Sequence, residues 1–245
     1  MGYADELFDL TDRVVLITGG SRGLGREMAF AAAHCGADVI IASRNLESCE
    51  ATADEIVEAT GRAALPYQVH VGRWDELDGL VEAAYKRFGK VDVLVNNAGM
   101  SPLYESLGTV SEKLFDSVVN LNFKGPFRLS ALVGERMVAG GGGSIVNISS
   151  IAAVCSAPLL AYKTSKAGVN ALTESLAMAG ARYGVRANAV MPGLMDTPMA
   201  IEAIAEATGH DRDLIRSERA KAVPLRREMG TAWDVANAVL FLASD

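Results

Sequence analysis

The chain has 245 residues, half of them apolar and 22% charged, with 24 glycines and a formal charge of −7 at pH 7. This composition excludes a disordered or fibrous chain, and the acidic balance argues against a nucleic-acid partner, which needs a basic face to displace counterions. No apolar run approaches the ~18 residues of a membrane span, and the acidic start MGYADELFDLTDR lacks the apolar stretch of a secretory signal. Cys35, Cys49 and Cys155 are odd in number, scattered, and form no C-x-x-C pair. They read as free thiols of a reducing cytoplasm, in one domain that uses all 245 residues.

Short β-branched runs at 14–18, 38–42, 65–69, 91–95, 144–148 and 186–190 alternate with helical periodicity at 23–35, 46–59, 75–88, 111–138 and 161–183. The strands are nearly continuous in apolar character, as expected when both faces of a sheet are covered. Alternating strand and helix predicts an α/β fold, a doubly wound parallel sheet with right-handed crossovers and helices on both faces. The four glycines at 140–143 lead into a strand rather than a helix, which favours a plain turn over a phosphate loop. After the sixth strand, residues 199–223 are helical and charge-rich, either a lid over a site or a solvated surface helix.

Directly after the first strand, Thr18-Gly19-Gly20-Ser21-Arg22-Gly23-Leu24-Gly25 opens a helix. Glycines let the backbone turn sharply and approach a pyrophosphate, which then rests against the N–H groups of the helix N-terminus. The spacing is G-x-x-x-G-x-G; the G-x-G-x-x-G pattern fails at Met28. Tight strand–helix turns also use glycine for packing alone, but a strand before and a helix after favour phosphate binding. The second strand ends in Ala42-Ser43-Arg44, where an NAD site usually carries an acid for the ribose 2′-OH. With Arg22 in the glycine loop, Arg44 offers two guanidinium groups for a 2′-phosphate, so NADP(H) is favoured over NAD(H). The bland alternative is a pair of surface charges.

Tyr162-Lys163-Thr164-Ser165-Lys166 contains Tyr-x-x-x-Lys, and residues i and i+4 share one helical face. A free tyrosine, pKa ~10, is a poor base at neutral pH, and lowering it by three units takes ~4 kcal/mol of phenolate stabilisation. A nearby ammonium acts in that direction. Alone, the pattern occurs by chance on many surface helices. Four features occur in order, however: the glycine loop, Asn96-Asn97-Ala98-Gly99 after the fourth strand, Asn147-Ile148-Ser149-Ser150 ending the fifth, and Tyr162 to Lys166. Together they resemble the short-chain dehydrogenase/reductase family over nearly the whole chain.

The resemblance implies a Rossmann-type single domain that transfers a hydride between a nicotinamide cofactor and a ketone or secondary alcohol. It makes Tyr162 the acid/base, Lys166 the group that lowers the Tyr162 pKa and holds the nicotinamide ribose, Ser150 the donor to the substrate oxygen and Asn122 the holder of a relay water. Asn120 is a neighbouring decoy; the Asn-x-x-Gly spacing of Asn122-Phe123-Lys124-Gly125 selects Asn122. Ser149 competes with Ser150, because alignment on the strand end selects Ser150 whereas the family's serine-to-tyrosine spacing selects Ser149. The cofactor would be held by Gly19, Ser21, Arg22, Gly23, Leu24, Gly25, Ser43, Arg44, Val71, Asn97, Ala98 and Gly99. Tyr162, Lys166, Pro192, Gly193, Met195 and Thr197 would complete its nicotinamide side.

Some residues depart from the family pattern or read blandly. His70 stands where the family often has an Asp near adenine, and Lys163, ~100° round the helix from Tyr162, reads as a solvated charge. His34 and His210 have no carboxylate or cysteine cluster, so no metal is expected. Cys155 lies in the loop beside the expected active site and reads as a small apolar filler. Trp74 and Trp233 read as packing residues at helix starts. The pocket would be lined by 101–107, 151–160 and 199–223, which weakly favour an apolar or medium-sized carbonyl. The resemblance also implies a homotetramer or homodimer packed through 111–138 and 161–183, and a seventh strand after the helix that ends near Asp245. Either that strand lies beyond this chain or the sheet is one strand short. Two other readings remain open: a nucleotide-binding regulator without turnover, disfavoured by the presence of all four catalytic candidates, and an NAD-preferring sugar or hydroxyacid dehydrogenase.

Overall fold

Val15, Ile17, Val39 and Ile41 point to one side of the sheet, and Val14, Leu16, Ile40 and Ala42 to the other, each set buried in its own core. Strands with two apolar faces need helices on both sides, and the computed structural model, which describes residues 6–156 and 158–244, has them. Strands β1 (Val14–Thr18), β2 (Asp38–Ser43), β3 (Ala64–Gln68), β4 (Val93–Asn96), β5 (Gly143–Ile148) and β6 (Val185–Val190) form one sheet in the order β3-β2-β1-β4-β5-β6. All five pairings are parallel. This is the doubly wound, Rossmann-type α/β fold.

Helices α1 (Gly23–His34) and α2 (Leu46–Thr60) cover one face together with the last helix of the chain, through Met28, Phe30, Ile56, Val235 and Val239. Helix α3 (Leu77–Phe88) covers the other with the helices that follow β4 and β5, through Leu80, Leu129 and Met137. Sequence order reverses between β1 and β4, which opens a crevice at the carboxyl ends of those two strands.

Several boundaries differ from the sequence expectation. β4 is assigned from Val93, although Asp92 already ties its neighbours together: its N–H donates to the Val14 carbonyl at 2.9 Å, its own carbonyl accepts from the Ser144 N–H at 2.9 Å, and its carboxylate accepts from the Val14 N–H at 2.8 Å. The helix expected at 75–88 opens as a 3-10 turn, Trp74–Glu76, before α3. The single helix expected at 111–138 is three pieces: α4 (Glu112–Val119), a π-helical turn (Asn120–Lys124) and α5 (Gly125–Gly140). Two local features account for the break. Pro126 has no N–H, so the Asn122 carbonyl loses its α-helical partner. Gly125 abuts β3's exit, where a Cβ would lie 2.4 Å from the Val71 carbonyl oxygen. Helix α6 (Leu160–Gly180) ends in a 3-10 turn, Ala181–Tyr183, and the 199–223 insertion holds α7 (Glu202–Thr208) and α8 (Arg212–Lys221). Helix α9 (Ala232–Ala243) closes the fold. Among the described residues, no helix is long and apolar enough to cross a membrane.

Candidate active site

The glycine loop is shaped by close approach. Gly19 and Gly23 have φ of +66° and +56°, a left-handed backbone that suits glycine. A Cβ on Gly25 would lie 2.2 Å from the Gly19 oxygen. Helix α1 begins with no capping side chain and no acid in its first turn, so its N-terminal N–H groups face the crevice without a side-chain acceptor. The loop is braced from β4. Thr18 Oγ1 accepts from the N–H groups of Asn97 and Ala98, each at 3.0 Å, while Asn97 Nδ2 donates to the Thr18 oxygen at 2.8 Å and the Gly19 oxygen at 3.3 Å. The bracing role of Thr18 was not read from the sequence; its signal is a lone hydroxyl ending an apolar strand. A concave, glycine-lined anion cradle with unpaired donors fits the pyrophosphate of a dinucleotide.

At the end of β2 the Ser43 hydroxyl lies 2.9 Å from that of Ser21, bringing this strand end against the glycine loop. Arg22 and Arg44, each following one serine of the pair, are both exposed. Val71 is buried and packs its carbonyl against Gly125. The His70 ring serves its own turn, Nδ1 accepting from the Gly72 N–H at 3.1 Å.

At the end of β5 the pleat separates the two serines. Ser149 is buried and donates to the Lys166 carbonyl at 3.1 Å. Ser150 points the other way: its Oγ accepts from the Ala152 N–H at 3.1 Å and interacts with the Tyr162 phenol. Burial pushes the Tyr162 pKa above the ordinary tyrosine value, and the Ser150 hydrogen bond opposes that rise only in part. Lys166 Nζ, 5.8 Å from the Tyr162 ring centre, donates to the Ile148 carbonyl at 2.6 Å, and burial lowers its pKa to about 8.

Asn122 is fully buried within the π turn. Its amide is wholly engaged: Oδ1 accepts from Met100 N–H at 2.8 Å, and Nδ2 donates to the Met100 oxygen at 2.9 Å and Ser165 Oγ at 3.1 Å. Ser165 in turn donates to the Tyr162 carbonyl at 2.7 Å, so the amide locks the Gly99–Met100 wall to the tyrosine turn. A Cβ on Gly99 would crowd Asn122 Oδ1 and Lys166 Nζ at 3.3 and 3.5 Å. What Asn122 has left to offer is its carbonyl, the one that Pro126 cannot serve.

The segment after β6 forms the far wall. Ile151 N–H donates to the Pro192 carbonyl at 3.1 Å, drawing Pro192 and Gly193 beside Ser150. Met195 pairs with Gly230 in an isolated parallel bridge, and Thr197 Oγ1 accepts from Ala200 N–H at 3.3 Å. Pro198 comes back to the glycine loop, 3.4 Å from where a Gly23 Cβ would stand. Hydrogen bonds and close approaches thus bring Ser150 to Tyr162, and Gly99 to Asn122 and Lys166, while Arg22 and Arg44 are exposed. Lys163 is not solvated as expected: its ammonium reaches three loop carbonyls. Cys155 is exposed rather than packed as a filler, and no group of three or more His, Cys, Asp or Glu side chains that could hold a metal occurs among the described residues.

A dinucleotide cradle at the switch point of a parallel sheet, with a tyrosine, a lysine and a serine converging beside it, defines a nicotinamide-dependent oxidoreductase. Residues 13–208 match the short chain dehydrogenase family, and the chain belongs to it. It is an oxidoreductase that moves a hydride between a nicotinamide cofactor and a ketone or secondary alcohol. The chain is 35% identical over 237 residues to a 3-oxoacyl-acyl-carrier-protein reductase of Thermotoga maritima, covering 96% of this chain and 92% of that one. Among solved structures it resembles L-sorbose reductase of Gluconobacter frateurii complexed with NADPH and L-sorbose. That match has a TM-score of 0.91 at 27% identity, covering 98% and 92% of the two chains. It also resembles an NAD+-bound xylitol dehydrogenase, with a TM-score of 0.88 at 29% identity, covering 96% and 94%.

Proposed function

We propose that the protein is an NADP(H)-preferring ketone reductase or secondary-alcohol dehydrogenase that uses Tyr162 as acid/base, with Ser150, Lys166 and Asn122 completing its catalytic set. The observation that carries this reading is the convergence of the Tyr162 phenol, the Ser150 hydroxyl and the buried Lys166 ammonium beside the glycine cradle. The nicotinamide nucleotide, when bound, supplies or accepts the hydride. It would be held by Gly19, Ser21, Gly23, Leu24 and Gly25 at its phosphates, by Val71 and 97–99 along its length, and by Pro192, Gly193, Met195 and Thr197 at its reactive end.

This chain's own groups handle the oxygen and its proton. In reduction, the protonated Tyr162 gives its proton to the carbonyl oxygen while the Ser150 hydroxyl donates a hydrogen bond to the same atom, stabilising the developing alkoxide. In oxidation, Tyr162 takes the proton back. The ammonium of Lys166 favours the phenolate left behind, and the carbonyl of Asn122, which Pro126 cannot serve, would hold a water that passes a proton toward Lys166. The preference for a 2′-phosphate rests on Arg22 and Arg44, each next in sequence to one serine of the Ser21–Ser43 contact, and on the lack of an acid at the end of β2.

We further infer a cytoplasmic homodimer or homotetramer acting on an apolar or medium-sized carbonyl. The free thiols support the compartment, and exposed Phe115, Phe127 and Met178 on α4, α5 and α6 support self-association. Exposed Leu103, Ile151, Val154 and Met199 support the substrate class. NADPH consumption over a panel of ketones tests the main reading. Tyr162→Phe is expected to lower kcat by roughly 10²–10⁴-fold on any accepted ketone, and wild-type turnover in that variant would sink the mechanism.

A further inference from the structure

We propose that Lys163 is a positioning residue: it clamps the loop that begins at Ser150 onto helix α6 and so fixes where the Ser150 hydroxyl meets the Tyr162 phenol. The proposal rests on the roles given above to Tyr162 and Ser150.

A lysine next to the acid/base on an exposed helical turn should extend into water, because an ammonium is strongly hydrated. Lys163 does the opposite. Its side chain is half-buried, and Nζ lies 3.1 Å from the Ala152 carbonyl oxygen, 3.4 Å from that of Ala153 and 2.5 Å from that of Cys155. An ammonium has three N–H donors, and three carbonyls face it.

The first two carbonyls belong to the 3-10 turn Ile151–Ala153, and the third lies two residues beyond its end. The end of a helical turn leaves its last carbonyls unpaired and carries the negative end of the peptide dipoles, which a cation satisfies on both counts. The other end of the same turn is capped by Ser150, whose Oγ accepts from the Ala152 N–H at 3.1 Å. That bond occupies an acceptor position of the hydroxyl and leaves its proton free to donate.

One short turn is thus gripped at its start by the serine that would hold the substrate oxygen and at its end by the neighbour of the tyrosine that would protonate it. Release of the Lys163 end leaves three carbonyls to solvent, on a segment that already exposes Val154 and Cys155. The capping geometry of Ser150 then loosens relative to a phenol held rigidly in α6.

The experiment combines amide hydrogen exchange with a double-mutant cycle. Lys163→Met keeps the alkyl stem and removes all three donors; Lys163→Arg keeps donors and serves as the rescue. In Lys163→Met, amides of 152–155 are expected to exchange at least about tenfold faster, as local opening becomes easier, with Lys163→Arg nearer the wild type. With NADPH and a ketone that the wild type reduces, kcat of Lys163→Met should fall roughly 10- to 100-fold, the range for misplaced catalytic groups, while the KM for NADPH stays within about twofold. In a Ser150→Ala background the same substitution should cost little further kcat, because its effect passes through Ser150. Unchanged exchange, unchanged kcat, or an equal additional loss in the Ser150→Ala background each overturns the proposal. Should Lys163→Met not fold, Lys163→Gln, which keeps a shorter donor arm, carries the same three readouts. A wild type that reduces no ketone would fail the Tyr162 reading instead, and the exchange measurement would still judge the clamp.

Discussion

Lys166 sits in a place that costs stability. Its pKa falls from the ordinary 10.5 to about 8 because burial disfavours the charge. The folded state therefore binds the proton less tightly than the unfolded chain. Below pH 8 both states are protonated and the full cost stands, about 3 kcal/mol at ~1.4 kcal/mol per unit; between pH 8 and 10.5 it fades, so this contribution to stability rises with pH. Lys166→Met should thus be more stable than the wild type at pH 7, by about 1–3 kcal/mol once loss of the Ile148 hydrogen bond is offset, and inactive. The gain should shrink toward pH 10.5, as read by denaturant unfolding at both pH values. A variant less stable at pH 7 would show that the lysine is not paying for its burial. Arg44 makes a second residue-level prediction. Arg44→Asp should lower the NADPH-to-NADH ratio of kcat/KM by roughly 10- to 100-fold, about 1.4–2.8 kcal/mol, and an unchanged ratio would refute the 2′-phosphate reading.

At the scale of elements, the glycines separate into those that carry the site and those that only end a helix. A Cβ on Gly125 would meet the Val71 oxygen at 2.4 Å and Val71 Cγ1 at 2.5 Å, so Gly125→Ala must shift α5 or β3's exit. The expected cost is about 1–3 kcal/mol, as for other overpacked sites, with a fall in turnover because the π turn carrying Asn122 ends at that residue. Gly140, last residue of α5, has nothing within 4 Å of its Cβ position and no left-handed φ. Gly140→Ala should therefore stabilise by about 0.4–1 kcal/mol through the unfolded chain alone. Thermal unfolding of the pair checks both signs. The periodicity of 111–138 announced a helix but not its break, because the break depends on a contact between Gly125 and a distant strand exit; Pro126 was the one local hint.

The whole molecule is acidic, yet the proposed 2′-phosphate contacts Arg22 and Arg44 are both exposed. An exposed anion site is screened by salt, so the KM for NADPH should rise with ionic strength more steeply than that for NADH. The proposed self-association rests on apolar side chains exposed on α4, α5 and α6, with Met178 86% exposed. Light scattering should return a small multiple of 25.8 kDa; a monomer at micromolar concentration would refute the assembly.

The sequence by itself determined the architecture and the order of the site. Apolar runs with two buried faces can only be satisfied in a helix-covered parallel sheet, and the glycine loop, Asn97, Ser149-Ser150 and Tyr162 to Lys166 each lie next to the strand or helix that places them. Only the tertiary structure decided which serine faces the phenol, since the two are adjacent in the extended segment just after β5 and adjacent residues point to opposite faces. It likewise turned Lys163 from a presumed surface charge into a loop contact, and the buried Asn122 amide into a brace for Met100. Those outcomes depend on which polar groups a neighbouring element leaves unpaired, and no local pattern in the chain records that.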